Sequence, residues 1–93
     1  MLTLPIKKKW LDMILSGEKK EEYRALTPYW TKRFKRILQL GERTIKLRAG
    51  YSKNVPEAIV RISLKTGTGK PEWGAEPGTE YWVLTIEEVI EPR

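Results

Sequence analysis

The sequence predicts a small α+β domain, built as a mixed β-barrel of about five or six strands with two helices placed early in the chain. Its 93 residues provide material for one modest hydrophobic core, so a single domain spanning residues 1–93 is expected. Two segments of the first half carry apolar residues at helical spacing. Most of the remainder alternates apolar and polar residues in short runs, a pattern typical of small closed or nearly closed barrels.

The first predicted strand covers residues 1–6, and the first predicted helix covers residues 7–16. One stripe of this helix is apolar and consists of Ile6, Trp10, Met13 and Ile14, widened by Leu11 and Leu15. Gly17 stands where a left-handed C-terminal cap is needed, because glycine adopts a positive φ without a steric penalty. The chain is then expected to turn sharply into a short strand over residues 21–24.

Thr27 and Pro28 indicate the start of a second helix, with threonine as the N-cap and proline in the first turn. The helix is expected over residues 29–38. Its apolar face consists of Trp30, Phe34, Ile37 and Leu38, and its basic face of Lys32, Arg33, Lys35 and Arg36. Such a basic amphipathic helix either follows a nucleic-acid backbone or is an ordinary solvated surface.

Residues 44–49 and 58–65 alternate cleanly and are predicted strands, separated by a loop at residues 50–54. Tyr51 and Ser52 in this loop follow a strand end, a usual position for binding groups. One long loop is expected over residues 66–79, which hold four of the seven glycines. Trp73 in this loop either plugs the end of the barrel or offers a stacking surface. A last strand is expected over residues 80–91, interrupted at Glu87 and Glu88.

The composition excludes several classes of function. The chain has no cysteine and no histidine, so disulfides, thiolate zinc sites, Ser-His triads and zinc deaminases are ruled out. No metal or other cofactor is expected. No apolar run is long enough to span a membrane, and the N-terminus lacks the order of a signal peptide. A cytoplasmic protein without membrane association is therefore expected.

The net charge of +6 is concentrated in the first half of the chain. Residues 1–50 hold 13 Lys and Arg against 5 Asp and Glu, whereas residues 51–93 hold 5 against 7. A clustered positive field attracts phosphates and makes binding dependent on salt. The alternative is a basic protein that is merely soluble.

The charged stretch between the first helix and the next strand carries the candidate site. In a strand, Glu22 and Arg24 point to one face and Tyr23 to the other, because the side-chain period is two. Lys19, in the preceding turn, is expected to lean over the same opening, so that one carboxylate lies between two cations. This arrangement is either an exposed ion-pair cluster worth about 0–1 kcal/mol per pair or a ligand site for a base edge, a phosphate or a carbonyl group.

Gly17, Lys19, Glu22 and Arg24 together match the pattern G-x-K-x-x-E-x-R, and in this respect the chain resembles the ASCH domains, relatives of the PUA-type RNA-binding barrels. The resemblance extends over essentially the whole chain in the order of its elements. It implies a PUA-like mixed β-barrel with the helices covering one opening. It also implies a cleft lined by Lys19, Glu22 and Arg24 and bordered by Tyr29.

Three functions follow as hypotheses. The first is an RNA- or nucleotide-binding module that uses Lys19, Glu22 and Arg24, with Tyr29, Tyr51 and Ser52 as further contacts. The second is a metal-independent hydrolase that acts on RNA or on a modified nucleoside. Some bacterial ASCH-like proteins deacetylate N4-acetylcytidine with the motif's lysine, a threonine and a distant glutamate. This chain has Glu22 at the position of the threonine, so Lys19 and Glu22 would be the catalytic pair. The third is a protein-interaction domain in which the motif is a surface salt-bridge cluster.

Overall fold

A five-stranded mixed β-sheet and two α-helices make up residues 1–92, the part of the chain that the computed structural model describes. This confirms the α+β class and the number of helices, and the strand count lies within the expected range. The elements in chain order are β1 (Thr3–Pro5), α1 (Lys8–Leu15), β2 (Glu21–Ala25), α2 (Pro28–Leu40), β3 (Thr44–Arg48), β4 (Glu57–Thr68), a short 3₁₀ helix (Pro71–Trp73) and β5 (Glu80–Pro92).

The strand order is β1-β3-β4-β5-β2, in which β1 and β3 are parallel and all other neighbours are antiparallel. The sheet curls into half a barrel, and the full closure allowed by the sequence pattern is not reached. Within residues 1–92 no strand ladder joins β1 to β2, so these two strands are the edges of the sheet. The first strand has only three residues and offers few backbone groups for closing the gap.

The long β4–β5 hairpin gives the sheet its curvature. Its register runs from Ala58 opposite Pro92 to Thr68 opposite Glu80, with shifts that leave Glu87 and Ile90 without a directly opposed residue. Such bulges bend a strand and increase its twist. Two predictions are wrong here. The fourth strand continues to Thr68 and does not end before residue 66, and the glutamates at 87 and 88 do not interrupt the last strand.

Polar pairs on the hairpin explain why Glu87 and Glu88 are accommodated. Glu88 forms an ion pair with Arg61, which is the residue opposite it on β4. Ser63 donates a hydrogen bond to Glu87 over 2.7 Å. Cross-strand pairs of this kind stabilise a sheet, so two consecutive acidic residues are compatible with a continuous strand.

Both helices pack on one face of the sheet around the main hydrophobic core. α1 contributes Leu11 and Ile14, and α2 contributes Phe34 and Ile37. The strands contribute the inward-facing residues Leu4, Ile45, Leu47, Ala58, Val60, Ile62, Trp82 and Leu84. The apolar stripes of the helices are narrower than predicted, because the side chains at positions 15 and 38 are exposed. A smaller cluster of Tyr23, Ala75 and Val83 lies apart from this core, with Trp73 and Tyr81 packed against it.

The helix boundaries follow the local sequence signals. Gly17 has a φ of +86°, as expected for the residue that turns the chain after α1. The Thr27 side chain accepts a hydrogen bond from the Trp30 amide over 3.3 Å, and Pro28 is the first helical residue of α2. This helix continues two residues beyond the predicted end and stops at Leu40, directly before Gly41.

Within residues 1–92, no helix is both long and apolar enough to cross a membrane.

Candidate functional site

The second strand places the charged motif at the border of the main core. Glu22 lies opposite Leu84 and Arg24 opposite Trp82, and both of these partners on β5 are core residues. Directly opposed residues project from the same face of a sheet, so Glu22 and Arg24 face the helix-covered side. Tyr23, opposite Val83, faces the smaller cluster on the other side. The alternation predicted for this strand is confirmed.

Lys19 is the most deeply placed charge of the motif, with a side chain that is fully shielded from solvent and a residue exposure of 1%. Its ammonium group lies 3.2 Å from Glu22 Oε1 and donates a hydrogen bond to the Trp73 backbone carbonyl over 2.5 Å. The ring centroids of Trp10 and Tyr23 lie 4.8 Å and 5.1 Å from Nζ. The lysine therefore ties the end of α1 to the loop that precedes β5.

Arg24 forms an ion pair with the second oxygen of the Glu22 carboxylate. Its Nη1 lies 2.8 Å from Glu22 Oε2 and also donates to the Tyr23 carbonyl over 2.7 Å. Its Nη2 donates to the Pro5 carbonyl over 2.5 Å, and its guanidinium carbon lies 5.5 Å from the ring centroid of Trp30. The arginine thus bridges the two edge strands of the sheet by a side chain, where no ladder joins them.

Glu22, with 5% exposure, holds one cation on each carboxylate oxygen. The motif is therefore a largely buried charge cluster, and the interpretation as an exposed salt-bridge cluster is wrong for Lys19 and Glu22. Burying charges costs free energy unless each is paired and hydrogen-bonded. The structure meets this requirement by combining the ion pairs with bonds to three backbone carbonyls.

The buried environment of Lys19 lowers its pKa. Desolvation lowers the pKa of Lys19 from its ordinary value of 10.5, and the positive charge of Arg24 acts in the same direction. The nearby Glu22 carboxylate opposes the shift through charge attraction and hydrogen bonding. Burial is the largest of these causes, so the neutral amine is more accessible at alkaline pH than for an exposed lysine.

The lowered pKa of Lys19 predicts a contribution to stability that grows with pH. Because the unfolded chain holds the Lys19 proton up to a higher pH than the folded protein, this contribution to the free energy of unfolding rises toward pH 10.5. Burial raises the pKa of Tyr23 above its ordinary value of 10.0, which acts in the opposite direction as the pH passes 10, so the prediction concerns the difference between variants. In denaturant unfolding measured below pH 10.5, the slope of the free energy of unfolding with pH should be less positive in Lys19→Met than in the wild type. The exposed Lys53→Met variant should keep the wild-type slope, and an unchanged slope in Lys19→Met would contradict the prediction.

A cleft of about 210 Å³ opens beside the charge cluster. Glu22 and Arg24 line it, whereas Lys19 lies behind it and does not, so the expectation that Lys19 leans over the opening is not met. The other lining residues are Pro5, Ile6, Lys7, Trp10, Tyr23, Trp73 and Gly74. The cleft is therefore bounded by the end of β1, the start of α1, β2 and the loop before β5.

Trp10, Trp73 and Gly74 were not among the predicted site residues. A Cβ at position 74 would lie 3.1 Å from the Trp10 ring, and Gly74 has a φ of +101°, so glycine allows the loop to approach the helix here. Trp73 is partly buried and packs against the smaller cluster while also lining the cleft. The sequence indicated Trp73 in its loop as a plug or a stacking surface, whereas Trp10 belongs to an apolar helix stripe, which is typical of core residues.

The remaining predicted site residues lie outside this cleft. Tyr29 is exposed on α2, where the Arg33 guanidinium lies 3.5 Å from its ring centroid, and it lines none of the cleft. Tyr51 lines a neighbouring depression. Ser52 is exposed, and its backbone carbonyl accepts a hydrogen bond from Arg48 over 2.8 Å. The structure therefore brings together the motif residues and separates them from the three predicted additional contacts.

Three exposed lysines lie on the cleft lining or against its tryptophans. Lys7 lines it directly. Lys9 Nζ lies 4.5 Å from the Trp10 ring centroid, and Lys70 Nζ lies 4.7 Å from that of Trp73. Both tryptophans of the cleft are therefore contacted by a cation at the surface, and the mouth carries a positive field that favours anionic groups.

Among residues 1–92, no group of three or more acidic side chains is close enough to hold a metal ion. Comparison of the chain with known protein families, with curated proteins and with solved structures finds no match.

Proposed function

We propose that this chain is an RNA- or nucleotide-binding module of the ASCH type, with a PUA-like half-barrel that presents the cleft beside Glu22 and Arg24. The observation that carries the proposal is a buried carboxylate held by two cations at the border of an aromatic-walled cleft with a basic mouth. This arrangement combines a fixed hydrogen-bonding edge, apolar walls and phosphate attraction, which are the three components of single-stranded RNA recognition.

Glu22 and Arg24, which form the hydrogen-bonding edge, can each form further hydrogen bonds. Each Glu22 oxygen already accepts from one cation, but a carboxylate oxygen has a second lone pair. Arg24 uses three of its five N–H donors on groups within the described chain, and the hydrogens left are on Nε and Nη2. A nucleobase that offers an amino group to Glu22 and a carbonyl or ring nitrogen to Arg24 would be bound on its edge.

The size of the cleft favours a small planar group. Its volume of about 210 Å³ is below the roughly 300–1,000 Å³ of pockets for drug-sized ligands. A single base fits this limit better than a bulky folded ligand. The tryptophans that line the cleft would provide apolar contact for a ring, and Lys7 together with the lysines against these tryptophans would attract the attached phosphate.

The hydrolase hypothesis requires the Lys19 amine to reach a substrate. In the structure this amine is shielded from solvent and donates to the Trp73 carbonyl. A general base or nucleophile must lie within hydrogen-bonding distance of the reacting group, and Lys19 is separated from the cleft. Binding without turnover is therefore the function that the arrangement supports best, with Lys19 as a positioning residue for Glu22.

An amide-shift NMR titration with cytidine, N4-acetylcytidine and short single-stranded RNA tests the proposal at low and moderate salt. Shifts are expected at β2, at Gly74 and at the Trp10 and Trp73 indoles, with affinity for the RNA that falls as salt rises. The Arg24→Lys variant keeps the charge but loses the planar fork, and it should bind about tenfold more weakly or worse.

The matched control is Arg33→Lys, since the Arg33 guanidinium also contacts an aromatic ring but lies outside the cleft. It should bind like the wild type. Absence of shifts with every ligand, or equal weakening by both arginine variants, would refute the proposal. New nucleoside signals that grow with time and disappear in Lys19→Met would replace it with the hydrolase.

A further inference from the structure

A second depression adjoins the cleft and has no role in the function proposed above. It has a volume of about 440 Å³ and is lined by Pro5, Ile6, Lys7, Lys8, Ala49, Gly50 and Tyr51. Three of these residues, Pro5, Ile6 and Lys7, also line the cleft beside Glu22 and Arg24. The two concavities therefore adjoin along one short segment, from the last residue of β1 to the residue before α1.

Tyr51 is the most exposed large hydrophobic side chain in residues 1–92, with 88% of its surface open to solvent. An aromatic ring presented in this way gains by covering its face with another ring. The other exposed aromatic residue within residues 1–92 is Tyr29, which is already in contact with Trp30 and Arg33. The Tyr51 ring lies beside a depression large enough for a base.

The loop that carries Tyr51 is anchored on both sides. The Ala49 amide donates to the Pro56 carbonyl over 2.9 Å, which closes the base of the loop. Arg48 Nη2 donates to the Ser52 carbonyl over 2.8 Å, and Arg48 Nε lies 2.8 Å from Glu57 Oε2. Since the residues next to Tyr51 are held, less ordering entropy is lost when a ligand binds to it.

Lys7 lies on the segment that both concavities share, so it would contact a negative charge of a ligand that extends over both. Its neighbour Lys8 is engaged with Asp12 over 2.8 Å. Lys7 is exposed and forms no ion pair with any residue of the described chain. A cationic residue that lines two adjoining depressions matches the order base, phosphate, base in a single-stranded nucleic acid.

We infer that the depression at Tyr51 is a second nucleotide subsite, so that the ligand is a single-stranded RNA of at least two nucleotides and not an isolated nucleoside. One base occupies the cleft beside Glu22 and Arg24, the connecting phosphate meets Lys7, and the adjacent base stacks on Tyr51. This inference rests on the proposed function, since it assigns the ligand class of the same site.

Equilibrium titrations of the intact chain with the four ribonucleoside 5′-monophosphates and the four homodinucleotides ApA, CpC, GpG and UpU test the inference. At least one dinucleotide should bind about 5- to 150-fold more tightly than its monophosphate, the range that corresponds to one base–aromatic stack. Tyr51→Ala should abolish this gain and leave monophosphate binding unchanged. Lys7→Gln should weaken the dinucleotide and reduce its salt dependence.

Tyr29→Ala is the matched control, because it removes an exposed tyrosine that lines neither concavity. It should leave both ligand classes unaffected. Equal binding of monophosphates and dinucleotides, or a dinucleotide gain that survives Tyr51→Ala, would overturn the second subsite while the proposed function stands. Absence of binding by the wild type to any of the eight ligands would overturn the proposed function and the subsite with it.

Discussion

Glu22→Gln is expected to lower the free energy of unfolding by about 3–5 kcal/mol, the cost of removing one partner from a buried ion pair. The glutamine keeps the shape of the side chain but leaves the Lys19 ammonium without a counter-charge in a site shielded from solvent. Arg24 loses its carboxylate partner at the same time. Denaturant unfolding followed by tryptophan fluorescence measures the change.

Two further variants separate the buried charge from the loss of a hydrogen bond. Asp12→Asn removes the carboxylate from an exposed pair with the same 2.8 Å separation as Glu22–Arg24, and it should change stability by no more than about 1 kcal/mol. Adding Lys19→Met to Glu22→Gln should recover part of the loss, because the uncompensated charge is then absent. A double variant that is less stable than Glu22→Gln alone would contradict this account.

Phe34→Ala is expected to lower the free energy of unfolding by about 3–5 kcal/mol, as is typical of deleting a fully buried aromatic ring. Phe34 is 0% exposed and lies between two tryptophans, with ring centroids 5.7 Å from Trp30 and 5.5 Å from Trp82. It packs α2 on β5, next to the hydrogen bond that Trp82 Nε1 donates to Thr31 Oγ1 over 3.0 Å. Thermal or denaturant unfolding measures this effect.

The same substitution should also affect the candidate site, because Trp30 contacts both Phe34 and Arg24. The Trp30 ring contacts Phe34 on one side and lies 5.5 Å from the Arg24 guanidinium. Without the Phe34 ring, Trp30 should be packed less firmly and Arg24 should become more mobile. Faster hydrogen exchange at the Arg24 amide than in the wild type is the expected sign. Lys35→Ala, at an exposed position on the same helix, should change stability by less than about 0.5 kcal/mol. Unaltered exchange in Phe34→Ala would show that Arg24 is held without the aromatic stack.

Local signals in the sequence were sufficient for most element boundaries. The Thr27-Pro28 pair and Gly17 act within a few residues of their own position, through a side-chain cap and a permitted backbone angle. The strand ends were predicted less well. Residues 66–68 extend β4 in spite of Gly67, because pairing with β5 outweighs the weak strand preference of glycine.

The candidate site, too, was predictable only in part. Alternation within one strand placed Glu22 and Arg24 on a common face, which needs no knowledge of the partner strands. The same reasoning could not place Trp10 and Trp73 beside them, since these residues are 63 positions apart and meet only through the packing of α1 against the loop before β5. Alternation within one strand also could not decide whether Tyr29 and Tyr51 line the cleft.

Interactions between near neighbours in the chain are enough to predict the helices, the core strands, the alternation of β2 and the grouping of one carboxylate with two cations. The folded structure was needed to show that Lys19 is buried behind the cleft, that Arg24 joins the two edge strands, and that Tyr51 lines a separate depression. These features depend on burial and on contacts between distant parts of the chain, which follow from the curvature of the sheet. That curvature arises from the bulged β4–β5 hairpin as a whole.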